Sequence, residues 1–305
     1  MRACPAIPQS EIRPKKRLAF LPTNRRKFIG LAAAAGVAAI AGDSFLFEPN
    51  RPRVARLDIT LRRWPVQLEG FTIALLSDFH YDPYFSAHPL KAAIGMVNAL
   101  HPDLIVLTGD FVTYPSFGGD EEKAAAHADP CAMLLGQMRA TQGLWAVLGN
   151  HDCDTDANRV TNALLSQGIP VLGNRSVPIE LKGARFWLSG VSDILSRTSD
   201  LDATLADVPR DEATVLLAHE PDFADYAAHY PIDLQLSGHS HGGQVRIPFL
   251  PPLYLPNLAR KYYMGLYKIG PLTLYTNPGL GTIGLPIRLN CPPEITFLTL
   301  RRSAG

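Results

Sequence analysis

Five apolar runs in this chain each stop at a carboxylate, an imidazole or an amide, mostly behind a small residue. "IALLS" leads into Asp78 and His80, and "LIVLTG" into Asp110. "LWAVLG" is followed by Asn150, His151 and Asp152, "TVLLA" by His219, and "LQLSG" by His239 and His241. Short apolar runs bounded by turn residues read as buried strands. In α/β folds, ligand sites gather at the carboxyl ends of strands, so the five tips are expected to converge. The small residues let the backbone turn sharply there. Each piece alone is an ordinary cap or turn. Five together place more polar groups at strand tips than a fold leaves unpaired, and a metal centre is the economical explanation.

The donor set narrows the chemistry. Up to four imidazoles, two carboxylates and one amide exceed what a single catalytic zinc takes, which is three protein ligands and an open position. They suit two divalent ions sharing a bridging carboxylate. Without thiolate ligands the site accepts Mn, Fe, Zn or Mg rather than selecting a soft metal. Two such ions lower the pKa of a bridging water and clamp the oxygens of a phosphate, so the expected substrate is a phosphoester or pyrophosphate.

The runs alternate with helical patterns in the first half: "PLKAAIGMVNAL", a stretch around Met133 to Arg139, and "ANRVTNALLSQG". From "VPIEL" onward the pattern is short strands and turns, through "ARFWLSGV" and "YMGLYKIGPLTLYTNPGL" to "EITFLTL". The expected architecture is α/β, two sheets packed together with helices outside. The Pro-rich segment from Ile247 to Pro256 reads as a long functional loop.

Residues 1–41 look like an address, with 42–53 as a linker and 54–305 as one domain. Arg25 and Arg26 directly precede "LAAAAGVAAIAG", a run shorter than the about 20 residues of a confident bilayer span. A twin-arginine pair, a weak apolar region and small residues at Ala39 and Ala41 match a Tat export signal, with the Tat translocase as a partner. Cleavage and retention as an anchor both stay open. Net charge is +1, but residues 1–41 carry eight Lys/Arg and one Glu, leaving the body near −6. A mildly acidic body argues against nucleic-acid binding. Cys131, Cys153 and Cys291, odd in number and without CxxC spacing, do not suggest a disulfide framework, and a single bridge outside the cytoplasm stays open. Arg51, Arg53, Arg56, Arg62 and Arg63 make a basic cluster, a solvated face or an attractor of anionic lipid or polymer.

The blocks "DFH", "GD", "GNHD", "H" and "GHSH", in that order, resemble the signature of calcineurin-like metallophosphoesterases. The C-terminal half, from "GHSHGGQVRIP" on, further resembles the YaeI/YkuE-like branch of phosphodiesterases, often exported or membrane-associated. The resemblance implies a four-layer α/β/β/α sandwich. It implies that Asp78, His80 and His241 hold a first metal, that Asp110 bridges, and that Asn150, His219 and His239 complete a second. His151 would act on the leaving group, oriented by Asp152. Asn277 and Gln244 stand as either pocket or structural residues, and His88, His101, His127 and His229 as surface histidines.

Three functions follow in order of preference. The first is an exported dimetal phosphodiesterase or phosphatase acting on a small phosphoester, nucleotide-type or envelope substrate. The second is hydrolysis of the UDP-2,3-diacylglucosamine pyrophosphate in lipid A synthesis, with apolar side chains around Pro248 to Leu258 gripping acyl chains. The third is a non-catalytic envelope scaffold, disfavoured because the full ligand set is present. Oligomeric state is not legible.

Overall fold

Alternation within single strands builds the layers of this structure, a computed structural model that describes residues 25–115 and 118–303. The strands are β1 (Arg53–Leu61), β2 (Phe71–Leu76), β3 (Leu104–Leu107), β4 (Leu144–Ala146), β5 (Arg175–Leu181) and β6 (Ala184–Gly190). They continue with β7 (Thr214–Leu217), β8 (Leu234–Ser237), β9 (Gly265–Ile269), β10 (Leu272–Thr276) and β11 (Glu294–Arg302). One sheet has the order β1-β11-β2-β3-β4 and the other β5-β6-β7-β8-β10-β9. Strands β2, β3 and β4 run parallel, as do β6, β7, β8 and β10, while β11 meets β2 antiparallel.

Because side chains alternate across a strand, Ile73 and Leu75 face one way and Ala74 and Leu76 the other. Ile73 and Leu75 join Phe71, Leu104, Phe186, Val215 and Leu234 in a core between the sheets. Ala74 and Leu76 pack with Ile105 and Leu107 under the helical layer. That layer is α2 (Ala87–Leu100), α3 (Glu121–Ala125), α4 (Ala128–Leu135) and α5 (Asn150–Ser166). On the far side, Leu216, Leu272 and Leu274 pack against Ala224 and Ala227 of a short helical turn. The result is the four-layer α/β/β/α sandwich.

Three features differ from the sequence reading. The helix expected around Met133 to Arg139 lies earlier, at Ala128–Leu135, with Cys131, Ala132 and Leu135 as its buried face. Strand β1 was not anticipated, since as an edge strand it buries little besides Ile59 and Leu61. The helix after "GNHD" begins at Asn150 rather than Ala157, with a kink at Asp156. That kink hid its first turn from a periodic reading.

The chain divides into two units at residues 41 and 42. The first contributes α1 (Arg25–Gly42); residues 1–24, with Cys4, lie outside the described residues. Helical turns continue through Asp43–Phe47 and Glu48–Asn50, so the run exceeds the "LAAAAGVAAIAG" stretch. Lys27–Asn50 is long and apolar enough to cross a membrane, a property that signal sequences share. Within residues 42–53 the Glu48 carboxylate accepts the N–H groups of Asn290 and Cys291, and Ser44 and Pro49 are buried, while Phe45, Leu46 and Phe47 are exposed. The arginine cluster does not form one free patch either. Arg63 pairs with Asp233 at 2.8 Å, and Arg56 lies over the Phe297 ring.

Candidate metal centre

All five predicted strand tips meet at one end of the two sheets. Strands β2, β3 and β4 deliver Asp78, Asp110 and Asn150 from one sheet; β7 and β8 deliver His219 and His239 from the other. Asp78, His80, Asp110, His239 and His241 all have positive φ, between 40° and 67°. Side chains disfavour that region, and such conformations persist only where the surroundings over-determine them. The turns leave no spare room. A Cβ on Gly149 would overlap Asp110 Oδ1, and one on Gly238 would overlap Ser77 Oγ and Asp78 Oδ2.

Two groups of donor atoms result, each spanning no more than 4.8 Å: Asp78, His80, Asp110 and His241, and Asp110, His219 and His239. Asp110 belongs to both. His80 Nε2 lies 3.0 Å from His241 Nε2 and 3.4 Å from Asp110 Oδ2, while His219 Nε2 lies 3.2 Å from the same oxygen. His241 Nε2 is 3.5 Å from Asp78 Oδ1. Asn150 Oδ1 is buried with no hydrogen-bond partner.

Outer contacts fix which nitrogen is free on His219 and on His239. A backbone carbonyl can only accept, so His219 Nδ1 donates to Thr108 O and presents Nε2. His239 Nε2 donates to Asn257 O at 2.8 Å and presents Nδ1. His80 Nδ1 meets Thr113 Oγ1 at 3.0 Å, leaving Nε2 inward. This is the outer-shell pattern of metal-ligating histidines. Thr113 and Asn257 escaped the sequence reading because a backbone carbonyl and a hydroxyl in a loop carry no pattern. The only available signal was the length of the Pro-rich loop that holds Asn257.

Electrostatics agree with the geometry. Burial pushes His241 well below its ordinary value, with His80 adding to it, and pushes His239 down to about 4, with His219 adding. Burial alone would raise Asp110, but His219 beside it holds its carboxyl well below the usual range. Burial opposes a proton on His219, yet Asp110 holds that imidazole well above its ordinary value. Neutral His239 and His241 beside an ionised carboxylate, with an orphaned amide oxygen nearby, fit divalent cations with N/O ligands, and a cation beside Asp110 would displace the proton that this carboxylate holds on His219.

His151 and Asp152 separate in role. His151 Nδ1 accepts the Tyr114 N–H at 3.0 Å, so the tautomer carries its proton on Nε2. Its ring sits edge-on to His80 with centroids 4.9 Å apart. Asp152 does not orient it, contrary to expectation. The Asp152 carboxylate is fully buried and accepts the N–H groups of Asp110, Phe111, Val112 and Gly149. It clamps the Asp110 turn to the start of α5. Asn277 is structural, while Gln244 both lines the cavity beside the cluster and braces neighbouring backbone. The Gln244 amide ties down Ile283 and Leu285, and Asn277 braces Gly279, Glu294 and Thr296. His88, His101, His127 and His229 are in neither donor group.

A cavity of about 600 Å³ opens beside the cluster, lined on one side by Asn150, His151, His239 and His241. Its lining also includes the apolar or aromatic side chains of Leu195, Leu253, Tyr254, Ile283, Leu285 and Ile287.

The family model for calcineurin-like phosphoesterases matches residues 71–243, which carry every donor named above. The chain belongs to that family. This calcineurin-like phosphoesterase is a hydrolase of phosphoester bonds. It is 33% identical to the metallophosphoesterase YkuE of Bacillus subtilis (strain 168), over 91% of this chain and 98% of that one. It is 31% identical to phosphodiesterase YaeI of Escherichia coli (strain K12), over 91% and 99%. A transmembrane protein with a metallophosphoesterase domain from Bos taurus is 33% identical over 82% of this chain, which spans 57% of that protein.

Proposed function

We propose that this phosphoesterase hydrolyses small phosphomonoesters or phosphodiesters at a centre of two divalent cations, drawn from Mn, Fe, Zn or Mg. Asp78, His80 and His241 hold one, Asn150, His219 and His239 the other, and Asp110 is shared. The observation that carries this reading is the meeting of the two donor groups at Asp110. Cations bound there supply charge to clamp phosphate oxygens and to acidify water.

The chain's own residues do the rest. The water oxygen bonds to phosphorus and the ester P–O bond breaks. His151 donates a hydrogen bond from Nε2 to the departing oxygen, and the proton which that oxygen acquires comes from the attacking water. Burial holds His151 down at about 4, so the ring is neutral and acts as a hydrogen-bond donor that keeps its proton. Tyr114 keeps the required tautomer. Asp152 acts on position alone, through the Asp110 turn.

Residues 1–41 serve as a Tat-type export segment or anchor in this reading, placing the enzyme in the periplasm or at the envelope. The support is the arginine pair before the apolar helix. Full-length protein purified with manganese is expected to hydrolyse a chromogenic phosphodiester. Full activity in a His239→Ala protein would overturn the centre. Localising a C-terminally tagged full-length chain tests the export step, and purely cytoplasmic material would overturn it.

A further inference from the structure

The segment Ile247–Leu258, "IPFLPPLYLPNL", contains no charged residue yet stands at the mouth of the cavity. Phe249 is fully exposed, and Leu250, Leu253 and Tyr254 are each more than half exposed. Soluble surfaces rarely group large apolar side chains in this way. Pro248, Pro251, Pro252 and Pro256 restrict the backbone of this loop. A second uncharged stretch, Gly281–Ile287, borders the same cavity and exposes Leu285. Arg246 and Arg260 flank the first segment, and neither guanidinium forms an ion pair among the described residues. An apolar tip between cations is the composition of an element that seats in an anionic bilayer surface.

We infer that Ile247–Leu258 dips into an anionic lipid surface and that the phosphoester hydrolysed at this centre carries a lipid chain. The inference rests on the phosphoester hydrolysis proposed above and names its substrate class. Charge and shape agree: the phosphate end of the cavity is ringed by the histidines, and the chain lies along Leu195, Leu253, Leu285 and Ile287. The apolar run Lys27–Asn50 is a separate observation that brings the same chain to a membrane.

The test uses the full chain with vesicles of phosphatidylcholine and phosphatidylglycerol whose acyl chains carry bromine, a short-range quencher of tryptophan. A Phe249→Trp protein is expected to lose roughly half of the added emission, as for a side chain within the acyl boundary. A Leu250→Trp protein gives a second probe if the first folds poorly. Leu165→Trp, on the exposed far end of α5, is the control and stays unquenched. No quenching at 249 and 250, or equal quenching at 165, overturns the inference; so does quenching abolished only by a protein partner.

The substrate class has its own readout on the unmodified chain. Lysophosphatidylglycerol should inhibit hydrolysis of a soluble chromogenic diester at about tenfold lower concentration than glycerophosphoglycerol, the equivalent of two buried methylenes. Equal potency overturns it. Absence of any diester hydrolysis would instead defeat the proposed reaction, while the quenching result would still report on the loop.

Discussion

The Tyr114 N–H points at His151 Nδ1 from 3.0 Å, and this one backbone bond decides where the imidazole carries its proton. The ring's hydrogen-bond donor is thereby Nε2, without any help from a carboxylate.

Replacing His151 should therefore remove a hydrogen bond to the departing oxygen and little else. We expect His151→Ala to lower kcat by about 10²–10³-fold on an alkyl phosphoester. The loss should be much smaller with p-nitrophenolate, which leaves unprotonated. Metal content by elemental analysis stays unchanged. Equal losses on both leaving groups would remove His151 from the donor role.

Asp152 should behave as a structural clamp. Its carboxylate serves four backbone N–H groups, so Asp152→Ala leaves all four buried and unpaired. The expected loss of stability is about 3–5 kcal/mol, read by urea unfolding. Asp152→Asn, which keeps an acceptor oxygen, should lose less than half of that.

Metal removal should cost both activity and stability. A ligand that binds only the folded chain at about 100 times its Kd adds about 2.7 kcal/mol. Chelation should lower the thermal midpoint accordingly, and manganese should restore it. Asp110→Asn, which alters the carboxylate common to both donor groups, should abolish that manganese-dependent rise.

How much of this was legible from sequence depended on where the signal resides. Strands β2, β3, β4, β7 and β8 are fully or nearly fully buried and read as apolar runs. Their tips named every donor at the centre. What escaped is held by backbone groups or by loops: Asn257 O behind His239, Tyr114 N behind His151, and the carboxylate of Asp152 turned to the Asp110 turn. A three-residue spacing suggests which side chains share a helix turn, not which distant amide one of them faces. Edge strand β1 was missed for a related reason, since its partly exposed residues give no clean alternation.

Glu294 supplies a pH test away from the centre. Burial raises its carboxyl, opposed by hydrogen bonds from Tyr275 and Thr296. The folded chain thus holds this proton more tightly than the unfolded chain does. Stability should fall as pH rises from the ordinary glutamate value through the raised one. Glu294→Gln should flatten that part of the profile, as read by thermal midpoints across the acidic range.

Asp78, His80, Asp110 and Asn150 all precede residue 167, and His219, His239 and His241 all follow residue 174. Neither half of the chain owns a complete donor group, because each group draws on Asp110 and on at least one late histidine. Metal capacity is therefore an attribute of the finished fold. A chain cut between α5 and β5 should bind no ion as separate pieces and regain binding when the pieces are mixed. During synthesis, the last imidazole to arrive acts as a receipt for the docking of the two sheets.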